Sequence, residues 1–135
     1  MKFIQDDLGR NIQMPDSPER IVSLCPSQTE LLYDLGMGKK IVGTTVFCIH
    51  PSETNQTIRV GGTKSLKPEK LKQANPDFIL AQMEENTPEM IATLEQDYPV
   101  YVTKVESFAD SIAMIQNVGR ILNRADSANQ LAEQI

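Results

Sequence analysis

Three side chains stand out among those able to do chemistry: Cys25, Cys48 and the single histidine, His50. A thiolate and an imidazole two residues apart are ligand types that zinc and other borderline metals take, so Cys48 and His50 form a candidate metal pair, with Cys25 as a third soft group. The same pair could serve as thiol nucleophile and base, but no motif marks a third, orienting group. Against both stands the ordinary habit of free cysteine as a small buried hydrophobe, and of a lone histidine satisfied by its neighbours. A Cys25–Cys48 disulfide is a further alternative in an oxidising compartment. Glu84, Glu85 and Asn86 offer oxygen ligands or hydrogen bonds, or else a solvated turn in which Asn86 or Thr87 caps a helix. Gly61-Gly62 lets the main chain turn with positive φ or approach a ligand closely. It is not a phosphate loop, because neither G-x-x-x-x-G-K-[ST] nor G-x-G-x-x-G occurs, and G-x-S-x-G is missing too.

These groups need a scaffold, and the hydrophobic pattern supplies one. Residues 2–5 and 11–14 flank Asp7-Leu8-Gly9-Arg10 and predict a β-hairpin with glycine at the turn. Four continuous apolar runs follow, at 21–24, 41–46, 78–81 and 100–103, and they read as buried parallel strands. Between them lie helices. Ser27 with Glu30 forms an S-x-x-E capping box ahead of Leu31, Leu32 and Leu35, and Gly36 and Gly38 end that helix. Lys67-Pro68-Glu69 starts a second helix, stopped by Asn75-Pro76. Thr87-Pro88 starts a third, carrying Met90, Ile91 and Leu94. Ser107 and Asp110 open a fourth, with Phe108, Ile112, Ile115, Gly119 and Leu122 on one face. A fifth begins at Asp126 and runs uncapped through Leu131 to Ile135, as if the natural protein continued.

The expected fold is therefore α/β: a single Rossmann-like β/α lobe with a short central parallel sheet flanked by helices. Residues 1–19 would be the hairpin segment, 20–123 the lobe, and 124–135 a further helix. In such a sheet, ligands bind beyond the carboxyl ends of the strands, where loops are free of ladder bonds and helix N-termini present unpaired N–H groups. The loops at 25–28, 47–51, 60–64, 82–86 and 104–106 would converge there. Composition narrows the partners. With 135 residues, 13 Lys+Arg against 18 Asp+Glu and a net charge of -5, the chain is one domain without the basic excess that nucleic acid requires. No apolar run is long enough to enter a membrane directly. The acidic Met1-Lys2-Phe3-Ile4-Gln5-Asp6-Asp7 start lacks a secretory h-region, which fits a cytoplasmic protein or one whose leader was removed.

The run from Pro18 through Leu24-Cys25-Pro26-Ser27-Gln28-Thr29-Glu30 to Leu32, followed by Leu35-Gly36, Ile41-Val42-Gly43, Arg59-Val60-Gly61-Gly62-Thr63, Asn75-Pro76-Asp77-Phe78 and Pro99-Val100-Tyr101-Val102, resembles the helical-backbone (class III) substrate-binding proteins of ABC importers. That family takes up ferric siderophores, haem and cobalamin. The resemblance implies two β/α lobes joined by a long helix, with ligand in the cleft between them. This chain would then be the amino-terminal lobe, with 124–135 as the start of the interlobe helix and no second lobe.

It implies a non-enzymatic, extracytoplasmic or periplasmic binding protein. No cofactor is required, and an iron chelate, haem or corrinoid is bound as ligand. The cleft wall carried over by position is Cys25, Pro26, Ser27, Gln28, Phe47, Cys48, His50, Gly62, Thr63, Lys64, Glu84, Glu85 and Asn86. Phe47, Tyr101 and Lys64 are the aromatic and cationic side chains it offers, and Cys48 and His50 could ligate a metal centre. Glu69 matches an acidic residue that docks onto permease subunits, although an acid in a helix first turn is favourable without any partner. The alternative from another class is a thiol- or metal-dependent enzyme, or a metal-binding sensor, built on Cys48 and His50.

Overall fold

In the computed structural model, which describes residues 1–135, the chain is a five-stranded parallel sheet with helices on both faces and a two-stranded antiparallel hairpin. The hairpin strands are β1 (Lys2–Gln5) and β2 (Asn11–Met14), paired Lys2 to Met14 and Gln5 to Asn11. Its turn is organised by Asp6, whose carboxylate accepts the Leu8, Arg10 and Val102 amides and the Arg10 guanidinium. Ile12 and Met14 enter the same core as Ile21, Leu80 and Tyr101, so the hairpin shares the lobe's interior.

The sheet comprises β3 (Ile21–Ser23), β4 (Ile41–Thr45), β5 (Ile58–Gly61), β6 (Phe78–Gln82) and β7 (Val100–Thr103), in the spatial order β5-β4-β3-β6-β7. The fifth strand, β5, was not expected: Arg59 and the glycines interrupt its apolar pattern, and as an edge strand it needs burial on one side only. Alternation divides the core. Ile21, Phe78, Leu80 and Tyr101 face α1 (Pro26–Asp34), α4 (Phe108–Ile121) and α5 (Ala125–Glu133). Val22, Ile79, Ala81, Val100 and Val102 face α2 (Pro68–Ala74) and α3 (Pro88–Glu95).

Helix ends follow the local signals with one correction. Thr87 caps α3 by accepting the Met90 amide, and Ser107 caps α4 by accepting the Asp110 amide. The S-x-x-E box at Ser27 does not form. Cys25 is the N-cap of α1, because the fixed φ of Pro26 suits the first helical position, and the Ser27 hydroxyl lies 3.3 Å from the Cys25 sulfur instead. A second correction concerns α4. Phe108 leaves the apolar stripe and is 68% exposed, while Met114, Ile115, Val118 and Ile121 are buried. The helix α5 closes at Glu133 and packs against α4 so tightly that a Cβ on Gly119 would sit 2.1 Å from that of Ala128.

Candidate ligand-binding rim

Because β3 to β7 are all parallel, their carboxyl ends lie along one edge, and hydrogen bonds stitch the loops there together. The chain leaves β3 toward β4 on one side and returns to β6 on the other, so the central crevice lies between the β3 and β6 loops. There the Cys25 thiol donates to Gln82 Oε1 at 2.9 Å. Val46 donates to the Gly61 carbonyl, and Met83 to that of Thr103. Lys64 Nζ reaches the Glu85 carbonyl at 3.1 Å, and Glu84 Oε1 accepts the Val105 amide at 3.1 Å. Gly61 makes the turn after β5 at φ 143, where an added Cβ would lie 2.2 Å from the Ser65 carbonyl.

Burial sorts the expected site residues into two groups. Cys25, Gln28, Cys48 and Asn86 are at most 2% exposed and lie beneath the surface. Gln28 donates to the Ala81 carbonyl and the Thr103 hydroxyl, joining β6 to β7, and its Oε1 has no partner. Asn86 accepts the Gln82 amide and donates to the Leu24 and Thr63 carbonyls, holding three loops at once. The Cys48 sulfur sits 3.2 Å from each of the Thr29 and Thr45 hydroxyls. Burial pushes the Cys25 thiol above its ordinary pKa, opposed by hydrogen bonds from the Ser27 hydroxyl and the Gln28 and Ser27 amides. Both cysteines are free.

The other residues face outward. Ser27, Phe47, His50, Lys64 and Glu84 are exposed, whereas Pro26, Gly62, Thr63 and Glu85 are half-buried. Tyr101, by contrast, is 2% exposed and bonds to Asp7, so it is a core residue and not part of the rim. Cys48 and His50 are separated by depth: the sulfur is interior and the imidazole is at the surface. No three His, Cys, Asp or Glu side chains come together as a metal cluster.

The residues that sequence reasoning passed over are apolar. Val46, Ile49 and Met83 are 47%, 58% and 37% exposed beside Phe47 at 59%. Each follows a strand end, where an apolar side chain is indistinguishable by pattern from one more core position. Val46, Phe47 and Ile49 stand out from the loop after β4 and Met83 from the loop after β6, and exposed apolar side chains of this size are of the kind that marks a binding surface. The larger hollows, of about 700 Å³ beside Tyr33 and Glu53 and about 620 Å³ between α2 and α3, are lined by other residues. The rim is thus an open wall. Its one nearby arginine, Arg59, is committed to the Thr45 and Cys48 carbonyls, the Thr44 hydroxyl and the Asn55 carboxamide.

This architecture is that of a known family, described as "Periplasmic binding protein", whose profile matches residues 21–135. The chain belongs to that family. Its members are binding proteins and not enzymes. A relative from Bacillus subtilis (strain 168), an uncharacterised ABC transporter substrate-binding lipoprotein, is 29% identical over 98% of this chain and 43% of its own length. The periplasmic vitamin B12 binding protein of Vibrio cholerae superposes with a TM-score of 0.79 at 26% identity, covering 89% of this chain and 48% of that one. The periplasmic heme-binding protein of Roseiflexus sp. RS-1 gives 0.77 at 28% identity, covering 86% and 45%. The chain therefore spans less than half the length of each of these relatives.

Proposed function

We propose that this chain is the ligand-binding lobe of the substrate-binding component of an ABC importer, and that its cargo is a metal chelate such as an iron-siderophore, haem or cobalamin. The observation that carries this reading is that Val46, Phe47 and Ile49 after β4 and Met83 after β6 stand exposed at the carboxyl ends of parallel strands, in a family of periplasmic binding proteins. The flat apolar face of a macrocycle or chelate would lie on Phe47 and Met83. Ser27, Thr63, Glu84 and Glu85 would meet its polar edge, and His50 is free to approach a metal centre. The chelate is cargo, not a resident cofactor. The reading places the protein outside the cytoplasm. It gives Glu69, exposed in the first turn of α2, the role of a rim charge that registers the encounter with a permease.

The test is equilibrium dialysis of the chain against cyanocobalamin, haem and a ferric trihydroxamate, with Phe47→Ala alongside. Phe47 is 59% exposed, so its loss should leave the melting temperature nearly unchanged while weakening the bound chelate about tenfold, the scale of one lost aromatic contact. A chain that retains none of the three, or retains one equally well without Phe47, overturns the proposal.

A further inference from the structure

The charge along the rim narrows the ligand, granted the chelate-binding reading above. Within the loops 25–28, 46–50, 62–66, 82–86 and 104–107 the cations are Lys64 and Lys104, and the anions are Glu84, Glu85 and Glu106. Lys104 is paired with Glu106 at 3.2 Å, and Lys64 leans on the Glu85 carbonyl. An arginine fork is the group best suited to a carboxylate or catecholate edge. Here Arg59 turns Nη1 to Thr44, Thr45 and Cys48 and Nη2 to Asn55, so its Nη1–Nη2 edge is not open as a fork. Arg10 is held by Asp6, Glu95 and the Val100 carbonyl, and Arg20 by the carbonyls of Ala74 and Asn75. Arg120 and Arg124 lie at the far end of α4. Neither Glu84 nor Glu85 is in a salt bridge; Glu84 is exposed and accepts the Val105 amide, and Glu85 is half-buried with the Lys64 ammonium on its carbonyl.

We propose that the rim selects a metal chelate with no net negative charge, one that lays an apolar face on Phe47 and Met83 and turns amide, hydroxyl or ammonium donors toward Glu84 and Glu85. Neutral corrinoids and uncharged or cationic trihydroxamates share this chemistry. Porphyrin dicarboxylates and tris-catecholates do not, although a porphyrin offers the same kind of apolar plane. A carboxylate brought against Glu84 and Glu85 meets two like charges, and Lys64, the rim cation without a carboxylate partner, offsets only one of them.

The discriminating experiment is an amide NMR titration of the full chain, which locates binding and measures millimolar affinities. The probes are cyanocobalamin, gallium(III) desferrioxamine, gallium(III) protoporphyrin and gallium(III) tris-catecholate. Shifts at residues 46–50, 62–64 and 82–86 are expected with the first two, and one of them should bind at least tenfold more tightly than either anionic probe. Glu85→Lys should then tighten the porphyrin, whose net charge with gallium(III) bound is -1, about twofold at ~0.1 M salt, as a change of two charge units at roughly 8 Å in water would dictate. Tighter binding of an anionic probe at the same residues would overturn the charge selection and leave chelate binding standing. An unchanged porphyrin affinity in Glu85→Lys would likewise overturn it. Absence of rim shifts with all four probes to millimolar concentration would overturn the chelate-binding reading itself.

Discussion

Asn86 should be the residue on which the shape of the rim depends. Its carboxamide accepts the Gln82 amide at 2.8 Å and donates to the Leu24 carbonyl at 3.1 Å and the Thr63 carbonyl at 2.7 Å. One side chain therefore ties β6, β3 and the loop after β5. Asn86→Ala removes all three bonds together. Thr63 is half-buried and its carbonyl can turn to water, but Leu24 is fully buried and Asn86 itself only 2% exposed. The buried Leu24 carbonyl left unpaired at roughly 1–3 kcal/mol, with about 1 kcal/mol for the bond lost at the half-buried Gln82 amide, gives an expected loss of about 2–4 kcal/mol. For a chain of 135 residues this corresponds to a fall in melting temperature of about 8–15 °C. Urea unfolding followed by far-UV circular dichroism measures it, since the chain has no tryptophan to report. Hydrogen exchange at the Gln82 amide reads the local effect, and Asn86→Asp, which keeps the acceptor, should preserve that protection while still freeing the other two loops. A loss below about 1 kcal/mol with the Gln82 amide exchanging at its original rate would refute the clamp.

Three other outcomes are expected. Burial raises the Cys25 pKa, so the folded state holds that proton more tightly than the unfolded one. The stability linked to this thiol is complete below the ordinary thiol value of about 8.5 and is lost as pH climbs through the shifted value; Cys25→Ala should flatten that part of the stability profile. Iodoacetamide should modify neither cysteine at neutral pH until denaturant is added, because both are at most 2% exposed; rapid native labelling counted by mass spectrometry would contradict this. Gly119→Ala places a Cβ 2.1 Å from the Ala128 Cβ and 3.0 Å from the Arg124 carbonyl, and should cost about 1–3 kcal/mol in a urea titration; an unchanged midpoint would mean that α4 and α5 do not cross there.

The elements of the lobe were legible where local chemistry is strong. Thr87-Pro88 and Ser107 with Asp110 cap the helices they announce, and Asn75 ends α2 at φ 49. Two local signals failed because a neighbour competed for the same group. Pro26 moved the start of α1 back to Cys25, and the Ser27 hydroxyl turned to the Cys25 sulfur. The strand β5 escaped notice because Arg59 looks like a loop residue until its guanidinium is seen folded onto the carbonyls of Thr45 and Cys48. Of the Gly61-Gly62 pair, read as allowing a positive φ or a close approach to a ligand, Gly61 takes φ 143 at the end of the strand.

Hydrophobic runs, prolines and caps along the chain were enough to specify a parallel β/α lobe, and hence a single edge where its loops must meet, because these are short-range constraints on backbone conformation. Which side chains on that edge face solvent was decided only by tertiary contacts. Adjacent loop residues such as Phe47 and Cys48 have no periodicity to separate them. The Cys48 sulfur went inward because hydroxyls from β4 and α1 were there to receive it, and Phe47 was left outside.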